Sequence, residues 1–195
     1  VRILILTSYT VPDYAGGGRN AWRFASFLNR IGSSSKILTL NRNLEYKRKD
    51  IINDVIIRRL PYFNINLLTK LISLLFFIWP GYLFHALATD YIYIIGANII
   101  GYQGFTWIGS IIGKKIVFRS TMIGYDDISS LLTRSRSKKL LNCILQKRIY
   151  TYLSINPSFT ISYTESGIHL RRLIEMSQGV DTDIFKPVSN KHKLL

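Results

Sequence analysis

Apolar residues fall in short dense runs, separated by longer stretches where they recur every three or four positions. The runs 2–7 (RILILT), 36–40 (KILTL), 55–60 (VIIRRL), 91–95 (YIYII), 116–119 (IVFR) and 159–163 (FTISY) are rich in β-branched and aromatic residues and mostly lack alternation. Strands covered on both faces, as in a parallel sheet, read this way. From 18 to 31, Ala21, Phe24, Ala25, Leu28 and Ile31 repeat at helical spacing, and Gly32 stands where a helix C-cap belongs. Further helices are predicted over 102–112, 134–148 and 165–175, and 41–54 reads as polar and charged. Strands and helices alternating in this way predict an α/β fold: a doubly wound, Rossmann-like, mostly parallel sheet with helices on both faces.

One stretch breaks the rhythm. Between Arg59 and Asp90 the only formal charge is Lys70. The segment 64–88 reads as a surface-seeking amphipathic helix or a core helix, interrupted at Pro80-Gly81. Its unbroken apolar part is shorter than the ~20 residues of a membrane span. A pair of spans near 67–89 and 91–113 is a rival reading. The glycines, Asn98 and Gln103 of the second stretch fit strand, loop and helix better.

The chain has 195 residues and a formal net charge of +15. That length allows one sizeable domain. The charge predicts an anionic partner: nucleic acid, acidic lipid headgroups or phosphorylated small molecules. The basic residues are dispersed, apart from Lys47-Arg48-Lys49 and the block 134–148, and no nucleic-acid-binding signature is present. A basic nucleic-acid-binding α/β protein is therefore the weaker alternative. Cys143 is the single cysteine, and His85, His169 and His192 share no motif. No spacing suits a protein-built metal site, so none is expected. Residues 2–7 are too short a run for a signal peptide and lack its charged lead-in.

The candidate chemistry begins with "VPDYAGGGRN". In doubly wound folds ligands bind at the carboxyl ends of strands, where the loop after the first strand lies. Gly16, Gly17 and Gly18 let backbone approach a ligand with no Cβ in the way. A helix starting there aims its free N–H groups and positive dipole end at the same place. Arg19 adds a charge suited to phosphate. The spacing is not the dinucleotide fingerprint, and "GSIIGKK" at 109–115 is one residue short of a phosphate loop.

Three segments carry a family resemblance. "PDYAGGGRNAWRFASFLNRIGSSSKILTL" resembles the opening of family-4-like glycosyltransferases of the GT-B fold, through Pro12, the glycines, Ala25, Leu28, Gly32, Ile37 and Thr39. Ser33 and Ser35 replace the usual His and Val. "RSTMIGYDD" resembles the T-x-H-G-x-D loop through Thr121, Gly124 and Asp126, with Ile123 in place of His. "SQGVDTDIFKPVSN" resembles the N-G-V-D-x-x-x-F-x-P segment, with Gln178 for Asn.

The resemblance implies one half of a GT-B fold. Residues 1–188 would form the N-terminal, acceptor-side domain and 189–195 the start of the interdomain linker. The donor domain, with its E-x7-E motif, has no room before Leu195. The whole enzyme would be a retaining hexosyltransferase using a nucleotide-sugar co-substrate, with no metal and no other cofactor. Its acceptor would be a glycan or lipid-linked molecule in cell-surface polysaccharide synthesis, and the fragment alone would be inactive. Gly16–Gly18 and Arg19 would face the donor phosphates. Asp126 and Asp127 would be the catalytic-site carboxylates, and Thr121, Gly124 and Tyr125 the acceptor-side loop. With 64–88 and 134–148 added, peripheral attachment to the anionic inner face of the cytoplasmic membrane is expected. A non-catalytic, stand-alone binding domain of GT-B ancestry is the other alternative.

Overall fold

The computed structural model describes residues 1–12, 16–41, 46–63, 65–96, 102–134 and 138–176. Eight strands form one sheet: β1 (Arg2–Thr7), β2 (Ser34–Asn41), β3 (Lys49–Ile52), β4 (Val55–Pro61), β5 (Tyr91–Ile95), β6 (Lys115–Arg119), β7 (Thr151–Ser154) and β8 (Leu173–Glu175), in the order β3-β4-β2-β1-β5-β6-β7-β8. Every pairing is parallel except β3 with β4. The chain winds outward one way through β2 and β4, then returns and winds the other way from β5. The order therefore reverses between β1 and β5, and the carboxyl ends at such a reversal are where doubly wound folds bind ligands.

The side-chain alternation of the strands builds a core on each face. Leu4, Leu6, Leu38, Leu40, Ile92, Ile94, Ile116, Phe118 and Tyr152 point to one side. Ile5, Ile37, Val55, Ile57, Tyr93, Ile95 and Leu153 point to the other, where Ala21, Ala25 and Leu28 of α1 (Gly16–Arg30) cover them. The first face is packed by α3 (Trp79–Leu87) with the π-helical stretch Ser73–Ile78 before it, and by α4 (Tyr102–Ile111), α5 (Ile128–Arg134), α6 (Lys138–Arg148) and α7 (Pro157–Glu165); α2 (Leu67–Ile72), which leads into the π-helical stretch, buries none of its residues. Helices thus lie on both faces, as the pattern predicts.

The expected strand 159–163 lies inside helix α7. Asn156 caps that helix by accepting from Phe159 N at 3.2 Å, and a proline occupies its first turn. Both are helix-start signals that override the β-branched run. The strand of this region is β7, just before. The expected helix 165–175 is also absent. Gly167, at φ +82°, ends α7, and a single 3-10 turn (Leu170–Arg172) leads into β8. Strand β3 falls in the stretch read as polar. It returns into β4 through Asn53-Asp54, both at positive φ, the two-residue hairpin geometry.

Pro80-Gly81 does not interrupt the apolar helix. The widened π-helical turn precedes it, so proline's missing N–H falls where the regular ladder is already broken. The result is a 21-residue run, Leu67–Leu87, with mean hydropathy 1.7, long and apolar enough by length and composition to cross a membrane. One side is seated on the sheet through Ser73, Ile78, Tyr82 and Ala86. The Tyr82 hydroxyl donates to Phe105 O at 2.5 Å, and Lys114 Nζ caps the far end on Leu87 O and Thr89 O. The second stretch of the two-span reading, 91–113, contains buried strand β5 and helix α4.

Candidate functional site

The carboxyl end of β1 meets the first turn of α1 at the edge of the sheet where the parallel strands β5 and β6 also end. The glycine triplet lies inside that first turn, one step later than the loop expected from the sequence. Its members differ. A Cβ on Gly16 or Gly17 would have nothing within 4 Å. A Cβ on Gly18 would stand 2.5 Å from Tyr9 O, 2.7 Å from Tyr9 C and 2.8 Å from Thr10 Cα. The third glycine therefore lets the helix rest on backbone at the end of β1. The first two leave open space above it. Arg19 follows, exposed.

The loop after β6 is built around its two carboxylates. Asp126 is 0% exposed and accepts from Thr121 N at 2.9 and 3.0 Å, Thr121 Oγ1 at 2.6 Å and Met122 N at 2.6 Å. Asp127 accepts from Gly124 N at 2.6 Å, Ser130 N at 3.2 Å and Ser162 Oγ at 3.0 Å. Burial of Asp127 pushes its pKa up. Hydrogen bonds from Ser130, Ser162 and Gly124 outweigh that and hold it below the usual aspartate value. Both carboxylates point inward and brace the loop. Expected at the reacting sugar from the sequence, they lie inside the loop with their oxygens on the protein's own donors.

More of the molecule holds this loop. Tyr163 Oη accepts from Ser120 N at 3.0 Å, and burial pushes that phenol up to about 12. Arg134 donates to Gly124 O at 2.9 Å and lies over the Tyr125 ring at 5.1 Å. Gly96, at φ +72°, ends β5 directly beside the loop: a Cβ there would stand 3.0 Å from Asp126 Oδ2 and 3.4 Å from Thr121 Oγ1. The groups offered to solvent are Met122, Ile123, Gly124 and Tyr125. Of the expected acceptor-side residues, Gly124 and Tyr125 are on that exposed tip, while Thr121 is half-buried at its base. The braces Ser162 and Tyr163 and the neighbour Gly96 lie far along the chain from the motif, and Arg134 lies seven residues beyond it, with no local pattern to announce them. The third resembling segment, 177–188, and the linker 189–195 lie outside the described residues.

No family model and no curated protein matches the chain. Solved structures do. HepE from Anabaena, in complex with UDP-glucose, superposes at a TM-score of 0.61 with 14% identity over 93% of this chain and 45% of that one. Sucrose-phosphate synthase from Thermosynechococcus elongatus gives 0.66 and 11% over 96% of this chain and 50% of its own. A second structure of that synthase gives 0.60 and 8%, covering 93% of this chain and 91% of that one. The chain spans about half the length of HepE and of the first synthase structure. Its eight-stranded, mostly parallel sheet, with helices on both faces, is the fold of one Rossmann-like half of a GT-B glycosyltransferase.

Proposed function

We propose that the chain is the N-terminal, acceptor-binding half of a retaining glycosyltransferase that takes its sugar from a nucleotide-sugar. The observation that carries this reading is the open first turn of α1 beside the strand-order reversal. Gly16 and Gly17 leave room for a diphosphate, and the helix N-terminus supplies the matching field. The Met122–Tyr125 tip stands at the same edge, where it would meet the acceptor, with Asp126 and Asp127 holding its shape. Catalysis would need the donor half, so this half alone is inactive. Reading the source DNA past Leu195 and assaying the longer protein for transfer from UDP-glucose to a lipid-linked acceptor tests the proposal. Transfer that a Gly17→Leu substitution lowers supports it. A longer protein with no donor domain and no transfer refutes it.

A second observation favours a membrane-bound acceptor. The outer side of the Leu67–Leu87 helix presents Leu67, Leu68, Leu71, Leu75, Phe76 and Phe84, with Phe76 69% and Phe84 73% exposed. Lys70 lies among them, and His85, at the far end, feels the charges of Lys36 and Arg58. Apolar side chains beside cations match an anionic lipid surface. Because the inner side is docked on the sheet, the helix would lie in the interface and not cross it. The place would be the inner face of the cytoplasmic membrane, and the product a cell-surface polysaccharide. Vesicles of phosphatidylcholine with and without phosphatidylglycerol test this. Phe76→Asp with Phe84→Asp removes about 3 kcal/mol of insertion, roughly a hundredfold in partition. Equal binding by parent and double variant refutes it.

A further inference from the structure

Two arginines are buried in the sheet, and the fold treats them differently. Arg59, 4% exposed on β4, donates to Lys47 O at 3.0 Å and Val11 O at 2.8 Å, and lies 3.5 Å from Asp50 Oδ2. Arg119, the last residue of β6, is 6% exposed, and its Nε is buried with no acceptor. No carboxylate among the described residues pairs with it. An arginine cannot discharge itself by losing its proton. Holding an unpaired cation out of water costs several kcal/mol.

Further unmatched groups lie on the same side of the sheet. Tyr93 on β5 pairs in register with Val117, and Ile95 with Arg119, so all four face α1. The Tyr93 ring packs on Phe24 of α1 at 5.1 Å, which fixes it. Its hydroxyl, on a residue 3% exposed, makes no hydrogen bond of ordinary geometry; burial raises its pKa, and the charge of Arg119 and a loose contact with that side chain pull the other way. At the end of β1, the Thr10 hydroxyl is also buried and unpartnered, directly under Gly18. Buried polar groups are nearly always satisfied within the fold. The guanidinium Nε of Arg119 and two hydroxyls, left open near the carboxyl edge of one sheet face, are groups awaiting a partner.

We infer that Arg119 and Tyr93 form an anion subsite, on the α1 side of the sheet at its carboxyl edge, for the phosphoryl group of a phosphorylated ligand. A phosphoryl group offers several oxygens at once, which matches a forked guanidinium with hydroxyls beside it. The net charge of +15 raises the local concentration of such anions. The subsite requires that this edge take a ligand, not that the chain transfer sugar, so it stands whether or not the glycosyltransferase reading does.

Thermal unfolding and calorimetric titration with inorganic phosphate, UDP and glucose 6-phosphate test it. At least one probe raises the parent's midpoint saturably. Which probe binds tightest identifies the source of the phosphoryl group, nucleotide or sugar. Arg119→Met lowers that affinity at least about tenfold, and Tyr93→Phe lowers it less. Without ligand, Arg119→Met unfolds no lower than the parent, because the unpaired cation is gone. Should that variant not fold, Arg119→Lys, which keeps the charge but loses the fork, reads the same loss. A parent that answers none of the three probes overturns the subsite. So does an arginine variant that answers them as the parent does.

Discussion

The three neighbouring glycines should respond to alanine with opposite signs. At Gly16 and Gly17 nothing lies within 4 Å of the added methyl group, and neither position has a positive φ. Alanine there restricts only the unfolded chain and favours the helix, a gain of about 0.4–1 kcal/mol each. At Gly18 the same methyl group meets backbone: Tyr9 O at 2.5 Å, Tyr9 C at 2.7 Å and Thr10 Cα at 2.8 Å. Backbone cannot rotate aside as a side chain does. Helix and strand end must part by roughly 1 Å to restore ordinary contact, and overpacking of this kind costs about 1–3 kcal/mol. Subtracting the helix gain leaves Gly18→Ala destabilised by about 1–2 kcal/mol. For a chain of this size that lowers the melting midpoint by roughly 2–8 °C, while Gly16→Ala and Gly17→Ala raise it by roughly 1–4 °C. Thermal melts of the three single variants, checked by urea titration with unchanged m-value, read the signs directly. If Gly18→Ala melts with the parent, or Gly17→Ala falls as far as Gly18→Ala, the division of the triplet into one packing glycine and two space-making glycines is wrong. If the proposed function holds, Gly17→Ala in a protein extended by a donor half separates the two properties, gaining stability while losing affinity for nucleotide-sugar.

Asp126→Asn keeps one acceptor oxygen where the carboxylate serves Thr121 N, Thr121 Oγ1 and Met122 N. Loss of two charge-assisted bonds destabilises by about 3 kcal/mol or more, read as a melting midpoint about 6–12 °C lower; an unchanged midpoint would leave the loop unbraced by this residue. Burial, then the charges of Lys36 and Arg58, lower the His85 pKa from 6.5 to about 4. Between those values the unfolded chain binds a proton that the folded chain does not, so stability falls as pH drops through that window. His85→Gln should flatten that limb in urea titrations at a series of pH values, and an identical slope in the variant would assign it elsewhere. Gly104→Ala would place a methyl group 1.8 Å from Trp79 Cη2. It should drive that indole out of its contact with Phe105, visible as a red shift in tryptophan emission together with a lower melting midpoint.

The sheet was legible because a strand buried on both faces writes itself as a nearly unbroken apolar run, as β1, β2, β5 and β6 do, while β4 shows only Val55-Ile56-Ile57 before Arg58 and Arg59. The errors came at the two edges, where that signal fails. β3 pairs on one side only and carries Lys49 and Asp50, so its burial alternates weakly. Its real signature is the two-residue turn Asn53-Asp54 between apolar neighbours, which a search for hairpins would have found. In the region of β7 and α7, local propensity and capping disagreed. Phe159-Thr160-Ile161 favours a strand, but Asn156 and Pro157 start a helix, and capping prevailed because the helix also buries Phe159 and Tyr163. Pro80 is of the same kind: proline breaks a regular helix, but here a π-helical turn has already opened the ladder.

The candidate site divides along a different line. Glycine position is a backbone property and can be read from the sequence, so the glycine triplet could be placed at the end of β1 before the fold was known. The direction of a carboxylate cannot. Asp126 carries the motif and Asp127 follows it, yet what decides their part is the set of donors around them, and one of these, Ser162, comes from helix α7, whose sequence favours a strand. Arg119 shows the converse. In sequence it is one cation closing a four-residue run, with nothing to mark it. Its meaning lies in what the fold leaves out, an acceptor, and the contrast with the fully engaged Arg59 makes that omission informative. Residues that stabilise the fold are those whose bonds close within it. A buried cation whose bonds stay open lowers stability, and such a cost is tolerated where a ligand repays it on binding.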